Sequence, residues 1–162
     1  MMIAIHRRRL LAGLVATPVA LALLPTPTRA GEAATVHVAK SATCGCCKIW
    51  VDYMRKEGFV VEATNMAPGQ LSQFKTRHGI SPDLASCHTA RVAGYTIEGH
   101  VPAREIKRLL AEKPDAIGLA VPGMPLGSPG MDYGPEKEPY DVLLSAKDGT
   151  TSIYASYKGT AG

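Results

Sequence analysis

Three thiols stand within four residues at Cys44-Gly45-Cys46-Cys47, and they stand at a junction in the sequence. Before them Thr35-Val36-His37-Val38-Ala39 alternates like a half-buried strand; after them, from Cys46 to Lys56, helical spacing puts Ile49, Trp50, Tyr53 and Met54 on one face. The cluster is therefore predicted in a strand-to-helix loop, where unpaired backbone amides and the helix macrodipole favour thiolate over thiol. The one remaining cysteine, Cys87, lies beside His88. Thiols gathered at two places suit chemistry at sulfur better than scattered bridges. Two structural disulfides are the plainer alternative. Adjacent Cys46 and Cys47 weigh against it, because neighbouring thiols point in different directions.

The pattern continues in the same alternation of elements. Gly58 stops the first helix, Phe59-Val60-Val61-Glu62-Ala63 reads as a second strand, and Pro68 opens a second helix running through Leu71 and Phe74 to His78-Gly79. From Cys87 to Ile97 a β-rich run turns near Gly94, which predicts a hairpin. Pro102 starts a third helix with Ala103, Ile106, Leu109 and Leu110 inward, closed by Pro114. The order β-α-β-α-β-β-α is that of a thioredoxin-like α/β domain, with the cysteines where that fold keeps its redox pair. From Pro114 to Pro139 the chain is rich in Pro and Gly. Beyond it Asp141-Val142-Leu143-Leu144 and Ser152-Ile153-Tyr154-Ala155 flank a Lys147-Asp148-Gly149 turn, a hairpin pattern that predicts a packed extension. The expected division is an export signal over 1–30, a thioredoxin-like domain over 31–113, and an extension over 114–162 packed on the same domain.

The first thirty residues read as an export signal. Arg7, Arg8 and Arg9 precede an apolar run from Leu10 to Leu24, followed by Thr28-Arg29-Ala30, with cleavage expected after Ala30. The run is shorter than the roughly 20 residues a membrane span needs. His6-Arg7-Arg8-Arg9-Leu10-Leu11 loosely resembles a twin-arginine signal, and the sequence does not decide between that route and the general one. Without the signal the chain holds 14 Lys plus Arg against 14 Asp plus Glu, so the formal +4 belongs to the signal. A neutral domain without a basic run carries no footprint for nucleic acid or a membrane surface. Periplasmic residence as a monomer is expected.

Two chemistries fit the cluster. As C-x-x-C, Cys44 and Cys47 lie one helical turn apart and can close a redox disulfide; Cys46 is then an awkward third thiol that can capture the mixed disulfide. As ligands, Cys44, Cys46, Cys47 and Cys87 are too crowded for an ordinary zinc half-site. Crowded thiolates can bridge several soft ions, and soft sulfur selects Cu(I). His100, in Gly99-His100-Val101-Pro102, is a further candidate ligand at the same end of the sheet. Met124 and Met131 stand in Gly/Pro loops with few apolar neighbours, where thioether ligation of copper is a more natural role than packing. His88 adjoins Cys87, but alternation along a strand turns it to the opposite face, so its ligation stays open. Met54 and Trp50 read as core; Met66, His37 and His78 have nothing that lifts them above surface or structural roles.

Together Lys40-Ser41-Ala42-Thr43-Cys44-Gly45-Cys46-Cys47, Ala85-Ser86-Cys87-His88-Thr89-Ala90, Ile97-Glu98-Gly99-His100-Val101-Pro102 and Ala120-Val121-Pro122-Gly123-Met124-Pro125 through Ser128-Pro129-Gly130-Met131 resemble the CopG-type family of periplasmic copper-binding proteins. The resemblance implies a thioredoxin-like domain with a metal-binding extension, a multinuclear copper site bridged by cysteine sulfur, and a role in copper resistance with redox activity. By position, Cys44, Cys46, Cys47 and Cys87 are the sulfur ligands it implies. His100, Met124 and Met131 are proposed from motif and chemistry together. A copper-linked oxidoreductase with Cys44 and Cys47 at its centre would need a periplasmic electron donor or acceptor, or a copper-handling partner. Ser86-Cys87 stands near where an ordinary thioredoxin has a cis-proline, which speaks against general disulfide exchange. A metal-free thiol-disulfide oxidoreductase using Cys44 and Cys47 is the alternative.

Overall fold

The computed structural model describes residues 34–160; the expected export signal lies outside them. Within them a mixed α/β fold carries a seven-stranded sheet and three helices. The elements are β1 (Thr35–Lys40), α1 (Gly45–Lys56), β2 (Val60–Asn65), α2 (Pro68–Arg77), a 3-10 turn at Pro82–Leu84, β3 (His88–Val92), β4 (Tyr95–Glu98), α3 (Ala103–Glu112), β5 (Ala116–Ala120), β6 (Tyr140–Ala146) and β7 (Thr151–Tyr157). The order across the sheet is β2-β1-β3-β4-β5-β6-β7. β1 runs parallel to β2 and antiparallel to β3, β4 pairs antiparallel with β3 and parallel with β5, and β5, β6 and β7 form an antiparallel meander.

Alternation along the strands sorts the core into two faces. Val36, Val38, Ala90, Val92, Ile97 and Leu119 point into one cluster with Trp50 and Met54 of α1 and Ile106 and Leu109 of α3. Their sequence neighbour Ala120 points the other way, into a smaller cluster with Ile80 and Leu84. α1 and α3 therefore cover one face of the sheet. α1 buries Cys47, Trp50, Val51 and Met54. Ile49, which the sequence pattern placed on this face, is instead 47% exposed, and Val51 takes the inward place. The anchor of that face is Trp50, fully buried, whose Nε1–H donates to the Val101 carbonyl at 3.0 Å and so ties α1 to the loop before α3. Lys113 closes α3 in a left-handed conformation just before Pro114.

The sequence pattern predicts no strand over Ala116-Ile117-Gly118-Leu119-Ala120, which falls in the Pro/Gly-rich segment, yet it forms β5. Gly118 explains the weak signal: it lies against the Thr96 carbonyl of β4 too closely for a side chain, and β5 shifts register against β6 between Ala116 and Gly118. Through β5 the hairpin β6–β7 joins the same sheet as β1–β4. Between β5 and β6, residues 121–139 form an irregular but internally bonded loop. Gly127 N–H donates to the Met131 carbonyl, Met131 N–H to Ser128 and Glu138 N–H to Leu126.

Candidate metal centre

Cys44 caps α1. Its backbone is extended, and the Cys47 N–H donates to its sulfur at 3.4 Å, so the sequence's strand-to-helix junction places the first thiol on the helix terminus. One turn on, Cys47 Sγ is bonded to Cys44 Sγ in a disulfide, with Cα atoms 5.4 Å apart. Cys46 and Cys87 are free thiols. Cys46 Sγ lies 3.4 Å from Cys44 Sγ and 3.7 Å from Cys87 Sγ, and Cys47 Sγ lies 3.3 Å from Cys87 Sγ. All four sulfurs fall within 4.8 Å of one another. The four cysteines named from the sequence thus meet at one point.

A second group overlaps the first at Cys87. His100 Nε2 is 3.0 Å and His88 Nδ1 3.3 Å from Cys87 Sγ, and the three donor atoms lie within 4.8 Å of one another. His100 Nδ1 bonds the Pro129 carbonyl at 2.7 Å, which fixes that nitrogen as the protonated one and leaves Nε2 to face sulfur. His88 and His100 are fully buried and meet edge to face, 5.1 Å between centroids, and His88 also lies 4.5 Å from the Trp50 ring. His88 Nε2 is buried without a hydrogen-bond partner, a costly position for a polar atom.

The structure corrects the placement of His88. β3 begins at His88, so Cys87 precedes the strand and the alternation argument does not relate the two. Within β3, His88 shares the parity of Ala90 and Val92 and faces α1, toward the cysteines. The missed signal was the length of the strand. His100 stands where expected. Of the two methionines, Met131 is half-buried next to Gly130, whose backbone lies directly over Cys46 and His100. Met124 is 50% exposed, on a loop pinned to the Cys87 segment by Gly123 N–H to the Ala85 carbonyl and Ser86 Oγ–H to the Gly123 carbonyl. The extension therefore reaches the site at Pro129–Gly130.

Burial sets the protonation. It pushes the Cys87 thiol up to about 12, with the neighbouring Cys46 adding to the rise and Ser86 and Lys75 opposing it. Burial likewise holds His88 well below the usual imidazole value, helped by His100, Lys75 and Lys40. His100 is lowered by burial, against the Pro129 carbonyl that favours its charged form. Two buried, neutral imidazoles thus stand beside two free thiols that are only partly buried. A soft cation would meet ligands of the right softness and would displace the thiol protons, with His88 Nδ1 and His100 Nε2 the ring nitrogens that face the Cys87 sulfur.

Sulfur and imidazole donors gathered at the helix end of a mixed α/β sheet define a cysteine-centred site suited to a soft metal ion. Among solved structures, two forms described as "Copper resistance protein copG" match. Form 1 is 41% identical, with 79% of this chain and 100% of that chain covered, at a TM-score of 0.75. Form 2 is 40% identical, covering 78% and 99%, at 0.73. A family model described as "Protein of unknown function, DUF411" matches residues 84–131, the stretch holding Cys87, both imidazoles and both methionines. No curated protein matches. The chain belongs to the CopG-type copper resistance family.

Proposed function

We propose that this protein binds copper in the periplasm at a cysteine-bridged, multinuclear site and acts in copper resistance as a copper-linked oxidoreductase. The observation that carries the reading is the convergence of four sulfurs with His88 and His100 around Cys87. Cys44, Cys46, Cys47 and Cys87 are the sulfur ligands, His100 and His88 the nitrogen ligands, and Met131 and Met124 the outer thioethers. The scaffold reads as thioredoxin-like. The β2-β1-β3-β4 order, with β1 and β2 parallel and β3 antiparallel on β1, supports this. Residue 30 is the expected end of the export signal. Among the described residues no helix is long and apolar enough to cross a membrane.

The chain's own residues divide the work. Reduction of the Cys44–Cys47 disulfide takes two electrons and two protons and yields two thiols, so the number of sulfur ligands is itself redox-controlled. His100 is oriented by the Pro129 carbonyl and His88 by packing against Trp50, both in buried surroundings, while Cys46 and Cys87 keep partial access to solvent. Copper would supply one-electron chemistry that sulfur and imidazole alone do not. Anaerobic Cu(I) loading of the reduced protein, with copper counted per chain, tests the reading. More than one copper per chain, reduced by Cys46→Ser, is expected; one or none, or indifference to Cys46→Ser, refutes the multinuclear site.

The closed Cys44–Cys47 disulfide at a helix N-terminus favours a second reading, a metal-free thiol-disulfide oxidoreductase. That reading requires turnover of a disulfide substrate that survives Cys46→Ser and Cys87→Ser.

A further inference from the structure

On the opposite face of the sheet from α1, directly behind Cys87, lies a buried ion pair that the copper reading does not use. Glu98, at the end of β4, is fully buried. Its Oε1 accepts from Lys75 Nζ of α2 at 2.5 Å and from the Ser86 backbone N–H at 2.6 Å, and its Oε2 accepts from Thr89 Oγ1 at 2.6 Å. Lys75 Nζ also reaches Thr89 Oγ1 at 3.0 Å, and its side chain is 13% exposed. Burying both charges carries a desolvation penalty that the attraction between them need not repay; apolar replacements of such pairs are often neutral or stabilising. Stability alone therefore does not account for a carboxylate here. Its bond to Ser86 suggests what does.

We infer that Glu98, held by Lys75 and Thr89, is a positioning residue for Cys87, fixing the Ser86–Cys87 backbone so that the Cys87 sulfur meets Cys46, Cys47 and His100. Three consecutive residues act on that one segment. Glu98 holds the Ser86 N–H. Gly99, at φ +70, donates its N–H to the His88 carbonyl at 2.9 Å, and a Cβ there would come 2.5 Å from Ser86 Oγ and 2.6 Å from the Val121 carbonyl, so only glycine lets the segments close. His100 then reaches Cys87 Sγ from the α1 side. Cys87 precedes β3 and has no strand partner to hold it. The bond from Ser86 to a charged acceptor takes over that task, and charge-assisted bonds are the stronger and better-directed kind.

The inference uses the assignment of Cys87 to the copper centre, and its test separates the two. In the full-length metal-free protein, iodoacetamide labelling of Cys87 relative to Cys46 in the same molecules, mapped by peptide mass spectrometry, reports how well Cys87 is held. Lys75→Met with Glu98→Leu removes both charges and is expected to melt close to the parent. Its Cys87-to-Cys46 labelling ratio is expected to rise about fivefold or more as the loop opens. After Cu(I) loading the sulfur-to-copper absorption should shift. Glu98→Gln, which keeps an acceptor for Ser86 N–H but gives up the charge and leaves Lys75 unpaired, should raise the ratio less than the double variant does. A folded double variant with both ratio and absorption unchanged overturns the inference. Thr89→Val covers the case of a double variant that does not fold: it removes one bond to the carboxylate without touching Ser86, and a ratio no higher than the parent's overturns the inference equally. If the parent takes up no copper, the copper reading fails while the labelling ratio still decides the role of Glu98.

Discussion

Gly130→Ala tests whether the C-terminal loop is part of the site. Gly130 has φ +91, and a Cβ built on it would stand 2.9 Å from the Cys46 carbonyl oxygen, 3.0 Å from the Trp50 nitrogen and 3.2 Å from His100 Nδ1. The first two are backbone atoms inside α1 and cannot swing aside, so the loop must retreat. Holding alanine at this φ costs roughly 1–2 kcal/mol. Retreat also breaks the bond from His100 to the Pro129 carbonyl, worth about 1 kcal/mol. With the lost packing the total is about 3 kcal/mol, which lowers the melting temperature of a domain this size by about 10–15 °C. Gly123→Ala is the control: φ is +68 there but nothing lies within 4 Å, so it carries the conformational cost alone and should lose about one third to two thirds as much. The assay is thermal denaturation of the metal-free proteins followed by circular dichroism, with His100 carbonyl bonding read from its ring resonances. Equal melting losses for the two variants would refute the claim that the loop presses on α1 and His100.

Stability of the metal-free protein should depend on pH in a direction fixed by the two buried imidazoles. Both titrate below the ordinary value in the folded chain, so below about pH 6.5 the unfolded chain binds more protons; their contribution is present above that pH and is lost as pH falls, at up to about 1.4 kcal/mol per pH unit for each. Urea midpoints that stay level from pH 7 to pH 5 would contradict this. Trp50 is the only tryptophan and its ring centroid lies 4.5 Å from that of His88, so Cu(I) loading should lower the protein's tryptophan fluorescence; undiminished emission at full loading would place the metal elsewhere. Leu109→Ala, at a fully buried position of α3, should cost about 2–5 kcal/mol in a denaturant titration, and a loss below about 1 kcal/mol would mean that α3 does not share a core with α1.

The strong local signals in the sequence were those with an unambiguous period or punctuation. Pro68, Pro102, Gly94 and the Lys147-Asp148-Gly149 turn each stand at or beside the element boundary they predicted. The sulfur cluster was legible because three of its members are adjacent in sequence and the fourth is the only other cysteine. What was not legible depends on contacts across the sheet. Val51 displaces Ile49 from the core because the sheet lies to one side of the expected helical stripe. β5 is hidden by a glycine that sheet crowding requires, and His88 turns toward α1 because β3 starts one residue later than the β-rich run suggests. Glu98 offered no signal at all. A lone carboxylate in a strand becomes informative only once α2 is seen to bring Lys75 against it.

The chain distances spanned by the site order its assembly in time. The Cys44–Cys47 pair is separated by three residues within one turn of α1 and can close as soon as that helix forms. Cys87 joins only after β1 and β3 have paired. Gly130 settles on Cys46 later still, once β5 has added to β4, because long-range strand pairings carry the largest loop-closure cost. An early local disulfide withholds two reactive sulfurs from Cys46 and Cys87 while the rest of the chain is still arriving. In a chain that folds in an oxidising compartment, the same bond that limits the mature protein's ligand count would leave only Cys46 and Cys87 available for mispairing.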